Sequence, residues 1–329
     1  MSTALPVARV AQLDRVQGAE RWLVQSLWSE QAVGFIAGSP KSCKSWLGLE
    51  LAVAVASHTP CLGRFEVQQP GPALVYLAED SLPQLRRRVE GICQHRHLDI
   101  DALPLHVVTA DSLRLDSGAD VERLEATLQQ LKPRLLVLDP LVRLHRIDEN
   151  SSAEVSALLG LLRQMQRAHQ LAIVVVHHMS KRRHAQLGQA LRGSTDLHAW
   201  SDSAAYLVRQ RDKLMLSLEH RSAPALEPFE LRLIGEHDSG VAHLEVVEAA
   251  SGDSPDGPPQ TPLSERVRDL LAHQEAPMSR TDIRKALKVN NQRLGEALIA
   301  LQQAGHIRRQ PKGFCLVGAA TQGSQLSLV

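Results

Sequence analysis

The sequence has few aromatic residues, few cysteines and no excess of either charge, and each shortage excludes a class of protein. Phe, Trp and Tyr together number only ten in 329 residues, which argues against a surface of aromatic platforms for stacking nucleic-acid bases. Lys and Arg number 37 against 36 Asp and Glu, which excludes a uniformly basic nucleic-acid coat. The four cysteines are scattered, without a Cys-x-x-Cys pair for zinc or a redox dithiol.

Long apolar runs are also missing. No stretch reaches the roughly 18 apolar residues of a membrane span, so we predict no membrane association. Scattered thiols indicate a reducing, cytoplasmic setting. The length predicts about two domains, at roughly 150 residues for each domain.

Short apolar runs alternate with amphipathic stretches over residues 30–233. This alternation predicts an α/β domain with a mainly parallel sheet covered on both faces. We expect five such strands, at residues 32–37, 73–78, 103–109, 134–139 and 171–176. Three more strands linked by short turns are expected to extend the sheet, at residues 204–209, 213–219 and 229–234.

The C-terminal part has a different composition. Residues 251–262 hold four prolines and two glycines, which predicts a linker between an ATPase-like domain over residues 1–250 and a small domain over 263–318. Two helices, a turn, a third helix and a β-ribbon are the layout of a winged helix. Residues 319–329 are expected to be a disordered tail.

A phosphate-binding loop is predicted where an apolar strand meets an apolar helix. Residues 38–45 read Gly-Ser-Pro-Lys-Ser-Cys-Lys-Ser, in the strand, loop and helix context that a Walker A motif requires. Backbone N–H groups at such a helix start bind phosphate, Lys44 would reach the β- and γ-phosphates of ATP, and Ser45 would ligate Mg²⁺. The predicted nucleotide-binding residues are Gly38, Ser39, Pro40, Lys41, Ser42, Cys43, Lys44, Ser45 and Trp46.

Cys43 departs from the Walker A pattern, which has glycine at this position. Glycine serves there because the backbone approaches the phosphates closely and φ can be positive, a conformation that costs other residues roughly 1 kcal/mol. Cys43 is therefore expected to weaken nucleotide binding without abolishing it. Its place at a helix N-terminus beside two lysines also predicts a lowered thiol pKa.

Polar residues end three other apolar strands. Asp139 ends a strand in the Walker B form, in which the carboxylate holds the Mg²⁺ shell. Glu79 follows another strand and is a candidate general base, whereas Asp80 beside it is also placed to cap the next helix. His178 ends a third strand, where it can sense the γ-phosphate.

This ordered set of motifs resembles the RecA-type ATPases of the plasmid replicative helicase RepA group. The resemblance covers residues 22–233 and rests on segments 38–45, 77–80, 136–140, 177–181 and 191–194. It implies a hexameric or ring-like P-loop ATPase acting on DNA. It further implies Glu79 as catalytic base, Asp139 on magnesium and His178 as sensor.

RecA-type rings also place an arginine of one subunit against the γ-phosphate held by the next. By its position after the strand at 213–219, Arg221 is the candidate, with Arg209 and Arg211 as alternatives. A solvated arginine that follows an edge strand is the simpler interpretation of the same residue.

Two polar segments follow the Mg²⁺ and sensor strands, and in this interpretation they face DNA. Ser151 and Glu154 are expected to form a capping box that leaves the first segment projecting, although both segments also fit ordinary solvated loops. The DNA-contact candidates here are Arg143, Arg146, Lys181, Arg182, Arg183 and Arg192.

The predicted winged helix is basic, with seven Arg and three Lys against five acidic residues over 261–317. Arg293 at the start of its recognition helix, and Arg308, Arg309 and Lys312 in its wing, are further DNA-contact candidates. A role in protein docking fits the same layout.

The sequence therefore predicts an ATP- and Mg²⁺-dependent DNA helicase or translocase of a plasmid or other mobile element, self-associated into a ring. The alternative is a nucleotide-switched DNA-binding regulator in which Cys43 makes hydrolysis weak or absent. A filament-forming recombination protein is a third interpretation, disfavoured because no additional N-terminal domain is recognised.

Overall fold

The computed structural model describes residues 7–12, 21–179, 196–210, 212–235, 242–247 and 263–317, the last range without 275, 288, 290–293, 296, 299–300, 303 and 311–312. The chain forms two compact units, residues 1–249 and 250–329. Among the described residues, no helix combines the length and the apolar character needed to cross a bilayer.

The first unit is built on a nine-stranded sheet. Its strands are β3 (Val33–Gly38), β4 (Ala73–Leu77), β5 (Leu105–Val107), β6 (Leu135–Asp139), β7 (Ala172–His178), β8 (Ser203–Gln210), β9 (Lys213–His220), β10 (Phe229–Gly235) and β11 (Ala242–Val247). They lie in the order β11-β10-β9-β8-β3-β7-β6-β4-β5. The six strands from β8 to β5 are parallel, and β9, β10 and β11 extend the sheet antiparallel.

Helices cover both faces of this sheet. They are α1 (Lys44–Ser57), α2 (Leu82–His95), α3 (Gly118–Leu131), α4 (Ser152–His169) and the short α5 (Asp196–Trp200). Side chains that alternate along the central strands feed two separate cores, one under α1 and α2 and the other under α3 and α4. The continuous apolar strands are therefore explained by burial on both faces, and the predicted α/β class is confirmed.

Two parts of the first unit were not predicted. A small hairpin of β1 (Trp22–Val24) and β2 (Trp28–Ser29) precedes the sheet and buries Trp28. Strand β11 adds the outermost edge and pairs with β10 over six residues. Its alternating Ala-His-Leu-Glu-Val-Val sequence buries only one face, so it lacks the apolar run of the central strands.

The second unit contains α6 (Leu263–Ala272), α7 (Arg280–Leu287) and a hairpin of β12 (Ile307–Gln310) and β13 (Gly313–Leu316). Met278 adds a bridge to Phe314, and a Cβ on Gly313 would lie 2.1 Å from the Met278 carbonyl oxygen, so this position requires glycine. Ser279 caps the start of α7, because its hydroxyl accepts a hydrogen bond from the Asp282 backbone N–H. The assignment of this unit as a winged helix stays a prediction.

Candidate nucleotide-binding site

The predicted phosphate loop connects β3 to α1 and is packed tightly. A Cβ on Gly38 would lie 2.5 Å from both the Leu207 carbonyl oxygen and the Ser42 hydroxyl, so only glycine fits there. The Ser39 carbonyl accepts hydrogen bonds from the Ser42 hydroxyl and from the Lys44 ammonium, both at 2.8 Å. The loop therefore folds around the buried ammonium group of its own lysine.

Burial lowers the pKa of Lys44, and the carboxylates of Asp139 and Glu79 oppose that shift. The lysine is 6% exposed, and its ammonium hydrogen-bonds to an uncharged carbonyl. An anion at this point would supply the charge partner that a buried ammonium favours. The phosphate-binding role predicted for Lys44 fits this environment.

Cys43 adopts the left-handed conformation, with φ 61° and ψ 26°, directly before the first residue of α1. The backbone conformation that makes glycine favourable at this position is therefore present, and cysteine occupies it. The thiol is half-buried, and burial raises its pKa against the opposing charges of Arg209, Lys44 and Arg88. The prediction of a lowered thiol pKa was wrong, because desolvation outweighs the nearby cations.

Asp139 ends β6 beside the start of α1. Its side chain is 7% exposed and hydrogen-bonds to Ser45. Burial, with Asp80 and Glu79 nearby, raises the pKa of Asp139 to about 6. The two residues predicted to hold Mg²⁺ are thus in contact, and the buried carboxylate favours a cation.

Glu79 lies just past β4, the next strand beyond β6, and its side chain is half-exposed. Its carboxylate accepts a hydrogen bond from Arg143 Nε at 3.0 Å. Arg143 belongs to a short 3₁₀ turn that directly follows β6 and Pro140. The candidate base and a candidate DNA contact are therefore paired, which their separation of 64 residues concealed in the sequence.

Asp80 does not cap α2. It forms an ion pair with Arg88, whose guanidinium lies 5.2 Å from the centre of the Trp46 ring. Ser81 is the N-cap instead, in a capping box with Gln84, because the Ser81 hydroxyl accepts from the Gln84 N–H.

His178 is the last residue of β7 and pairs in register with Gly38 of β3. It therefore lies at the same end of the parallel strands, their carboxyl end, as the phosphate loop. It also lines the cleft described next. His177 points the other way and is buried near the Phe35 ring, with 5.9 Å between ring centres.

A cleft of about 880 Å³ joins these residues. Lys44, Ser45, Glu79, Asp139 and His178 line one side. The other side was not predicted and comes from the end of β8, Asp212 and the antiparallel strands β9 and β10. Its lining residues are Arg209, Asp212, Leu214, Glu230, Leu231, Arg232 and Leu233.

Arg221 follows β9 and lies at the opposite end of the strands from the phosphate loop, where the parallel strands begin. The β8 register pairs Ser203 with Gly34 and Leu207 with Gly38, and β9 returns antiparallel to end beside Ser203. The Arg221 guanidinium contacts Asp202 at 3.2 Å and donates to the Ala199 carbonyl at 2.5 Å. Arg221 is thus roughly 13 Å along the strands from the start of its own phosphate loop. Arg209, one of its alternatives, lies inside the cleft of its own chain.

The structure describes only part of the predicted DNA surface. Arg143 and Arg146 are exposed in the segment after β6, whereas His145 between them is buried. Arg308 and Arg309 are exposed on β12. The other candidates lie outside the described residues: Lys181, Arg182, Arg183, Arg192, Arg293 and Lys312, together with Arg211 from the arginine alternatives.

The capping box predicted at the start of α4 is absent. Ser151 is the N-cap, but its side chain makes no capping hydrogen bond. Glu154 accepts instead from the backbone N–H of Asp148 at 3.2 Å, which closes the loop on itself.

The cleft fits a magnesium nucleotide. Orphan N–H groups at the start of α1, a buried lysine, a hydroxyl paired with a buried carboxylate and a large open cleft meet at the carboxyl ends of parallel strands. The AAA domain family (AAA_25) matches residues 3–184, just over half of the chain. The chain belongs to this AAA domain family.

Two further comparisons extend this assignment. The DNA repair protein RadA of Haemophilus influenzae is 27% identical over 150 residues, which are 44% of this chain. The chain spans only 27% of the length of that curated relative.

Among solved structures, the RadB recombinase superposes with a TM-score of 0.50 at 16% identity, covering 67% of this chain and 92% of RadB. The ATPase domain of G40P has a TM-score of 0.49 at 15% identity, covering 67% and 86%. The superposition on RadB, together with the mainly parallel sheet, shows that the AAA domain protein described here has the predicted RecA-like P-loop NTPase fold.

Proposed function

We propose that this AAA domain protein is a DNA-dependent ATP hydrolase of the helicase or translocase type. The observation that carries the proposal is the cleft in which Lys44, Ser45, Asp139 and Glu79 meet from three separate loops at one edge of the sheet. The similarity to a DNA repair protein over 150 residues supports DNA as the partner.

Each residue in the cleft has a role that its position supports. The backbone N–H groups of residues 39–46, except that Pro40 has none, and the Lys44 ammonium bind the phosphates. Ser45 and Asp139 hold Mg²⁺. The metal, when bound, neutralises charge on the phosphates. Glu79 accepts a proton from the attacking water, and His178 lies where it can sense the terminal phosphate.

Arg221 acts on a neighbouring subunit in this proposal. Its guanidinium lies at the end of the strands away from its own phosphate loop, which supports a role toward a γ-phosphate held by another chain. A ring, with six subunits as the resemblance to RepA implies, would supply that chain. Arg209 binds nucleotide within its own chain.

The loop after β6 couples DNA to the cleft. Arg143 pairs with Glu79 in the structure, and a DNA phosphate would compete for the same guanidinium. Release of Glu79 then frees the carboxylate for water. Lys181, Arg182, Arg183 and Arg192 would extend this contact, and Arg293, Arg308, Arg309 and Lys312 of the winged-helix-like unit would form a second one.

Cys43 favours a second candidate function. A cysteine held at φ 61° in the phosphate loop stores strain where a nucleotide must be enclosed. In the alternative, the protein binds ATP with little hydrolysis and switches DNA binding through its C-terminal unit. Replication or maintenance of a plasmid or mobile element is the setting that we infer for either function.

Titration of Mg²⁺-ATP into wild type and Lys44→Ala tests the nucleotide site directly. We expect saturable, Mg²⁺-dependent binding in wild type and a loss of at least tenfold in Lys44→Ala, with Lys132→Ala, on the far side of the sheet, as the control. Equal binding in all three proteins would contradict the site. Binding without turnover under any DNA condition would favour the regulator.

A further inference from the structure

Two histidines and a glutamate form a cluster outside the nucleotide cleft. His243 Nε2 lies 2.8 Å from Glu245 Oε1, and His95 Nε2 lies 3.7 Å from the same oxygen. The two imidazole rings stack with centres 3.5 Å apart and planes 9° from parallel. Among the described residues this is the group whose ligand atoms, all within 4.8 Å of one another, could hold a metal ion.

The backbone positions these side chains without long loops. His95 is the last residue of α2, and His243 and Glu245 are two residues apart on β11, so their side chains leave the strand on one face. A metal here would connect the end of helix α2 to the outermost strand of the sheet. His95 and His243 are 148 residues apart in the sequence.

A buried polar contact anchors both elements directly beneath the cluster. Glu50 of α1 is 1% exposed, accepts from the Leu244 backbone N–H at 2.8 Å, and forms an ion pair with Arg96, the residue after His95. Helices α1 and α2 and strand β11 are therefore joined by a buried contact next to the cluster, which holds the backbone that carries the three side chains.

The donor set selects the type of ion. Two imidazoles and one carboxylate suit Zn²⁺, whereas Mg²⁺ prefers an all-oxygen site.

We propose that His95, His243 and Glu245 bind Zn²⁺ and so fasten the edge strand β11 to α2. Ligands about 2.0 Å from a tetrahedral ion are roughly 3.3 Å apart, so the cluster must contract from 4.8 Å. The lone pairs of two stacked, parallel rings do not converge on one ion, so the His95 ring must also turn out of the stack. It can do so because His95 ends its helix and its side chain is 40% exposed. A water molecule completes the fourth position. This inference does not depend on the proposed ATPase function.

The test uses tag-free full-length protein, stripped with a chelator and free of nucleotide. We expect calorimetric titration with Zn²⁺ to give one site for each chain, and saturating Zn²⁺ to raise the melting temperature by roughly 5 to 10 °C. His243→Ala and Glu245→Gln should each lose about 100-fold in affinity and lose the thermal shift. Mg²⁺ should produce neither effect.

His106→Ala is the matched control, since His106 is exposed on β5 at the opposite edge of the sheet. It should bind Zn²⁺ as wild type does. His95→Gln, at the exposed helix end, provides a ligand variant that keeps the fold if changes in β11 do not. The proposal would be overturned if wild type did not bind Zn²⁺. It would also be overturned if His95→Gln had the same Zn²⁺ affinity and the same thermal shift as wild type.

Discussion

Cys43 is the residue at which the local chemistry of this protein departs most from a Walker A loop. Its positive φ demonstrates that the loop has the conformation that glycine favours. The identity of the loop residues could be predicted from the motif alone, because each role follows from spacing along a short segment. The thiol pKa could not, since it depends on burial by residues far away in sequence.

We expect Cys43→Gly to tighten Mg²⁺-ATP binding and to raise turnover. Removing the β-carbon lets the backbone approach the phosphates more closely, which acts on the bound state. It also relieves a left-handed strain of roughly 1 kcal/mol, although the added freedom of the unfolded chain offsets part of that gain in stability. Calorimetric binding and steady-state ATP hydrolysis measure the effect. Cys43→Ala removes the sulfur but keeps the β-carbon and the strain. Equal ATP affinity and equal turnover in the alanine and glycine variants would contradict this explanation.

Asp139 makes the stability of the metal-free protein depend on pH. Its pKa is about 6 in the folded protein against 3.8 for an ordinary aspartate, so the folded state retains this proton to higher pH than the unfolded chain does. The resulting stabilisation is present below about pH 4 and is lost as the pH rises through about 6, by up to about 3 kcal/mol. Chemical unfolding in the presence of a chelator, from pH 4 to pH 7, measures it.

Asp139→Asn should remove that part of the pH dependence while leaving the contributions of the other carboxyl groups. An unchanged slope in the asparagine variant would assign the pH dependence elsewhere, for example to the buried Glu50, whose pKa burial also raises.

At the scale of elements, the loop between β6 and α4 is the clearest difference between prediction and structure. Its sequence indicated a projecting basic segment closed by a capping box. In the structure Glu154 bonds to Asp148, His145 is buried, and Arg143 pairs with Glu79. Contacts between distant chain segments determine the positions of these side chains. The sequence of the loop alone does not predict such contacts.

The strands show the same distinction. The central strands could be predicted because burial on both faces leaves an uninterrupted apolar run. Strand β11 could not, because it lies at the edge of the sheet and alternates polar with apolar residues over only six positions. The far side of the cleft was missed for a related reason: it comes from the end of β8 and from antiparallel strands, none of which carries a phosphate-binding motif.

We expect Arg143→Ala to raise ATP hydrolysis without DNA and to reduce the stimulation that DNA produces. The substitution removes the ion pair that holds Glu79. DNA can then no longer raise the rate by breaking that pair. Arg146→Ala is the control, because its exposed side chain has no contact with Glu79 among the described hydrogen bonds and ion pairs. It should leave the basal rate unchanged. A basal rate in Arg143→Ala at or below the wild-type rate would contradict this coupling.

At the scale of the whole molecule, our proposal assigns Arg221 to the γ-phosphate held by a second subunit. We expect Arg221→Ala and Lys44→Ala each to be inactive alone and to regain part of the activity when mixed. Mixed assemblies contain sites with an intact Lys44 facing an intact Arg221 from the neighbour. Steady-state turnover across mixing ratios measures the recovery, and no recovery despite demonstrated subunit exchange would place the arginine elsewhere.

Membership of the AAA domain family, the RecA-like fold and the assembled cleft support our proposal that the protein hydrolyses ATP and that DNA controls the rate. The most direct measurement is the ATP hydrolysis rate with single-stranded DNA, with duplex DNA and without DNA, in wild type, Lys44→Ala and Glu79→Gln. We predict a wild-type rate that DNA raises several-fold, and no stimulated turnover in either variant. A wild-type rate that no DNA changes, or stimulation that survives Glu79→Gln, would contradict the account.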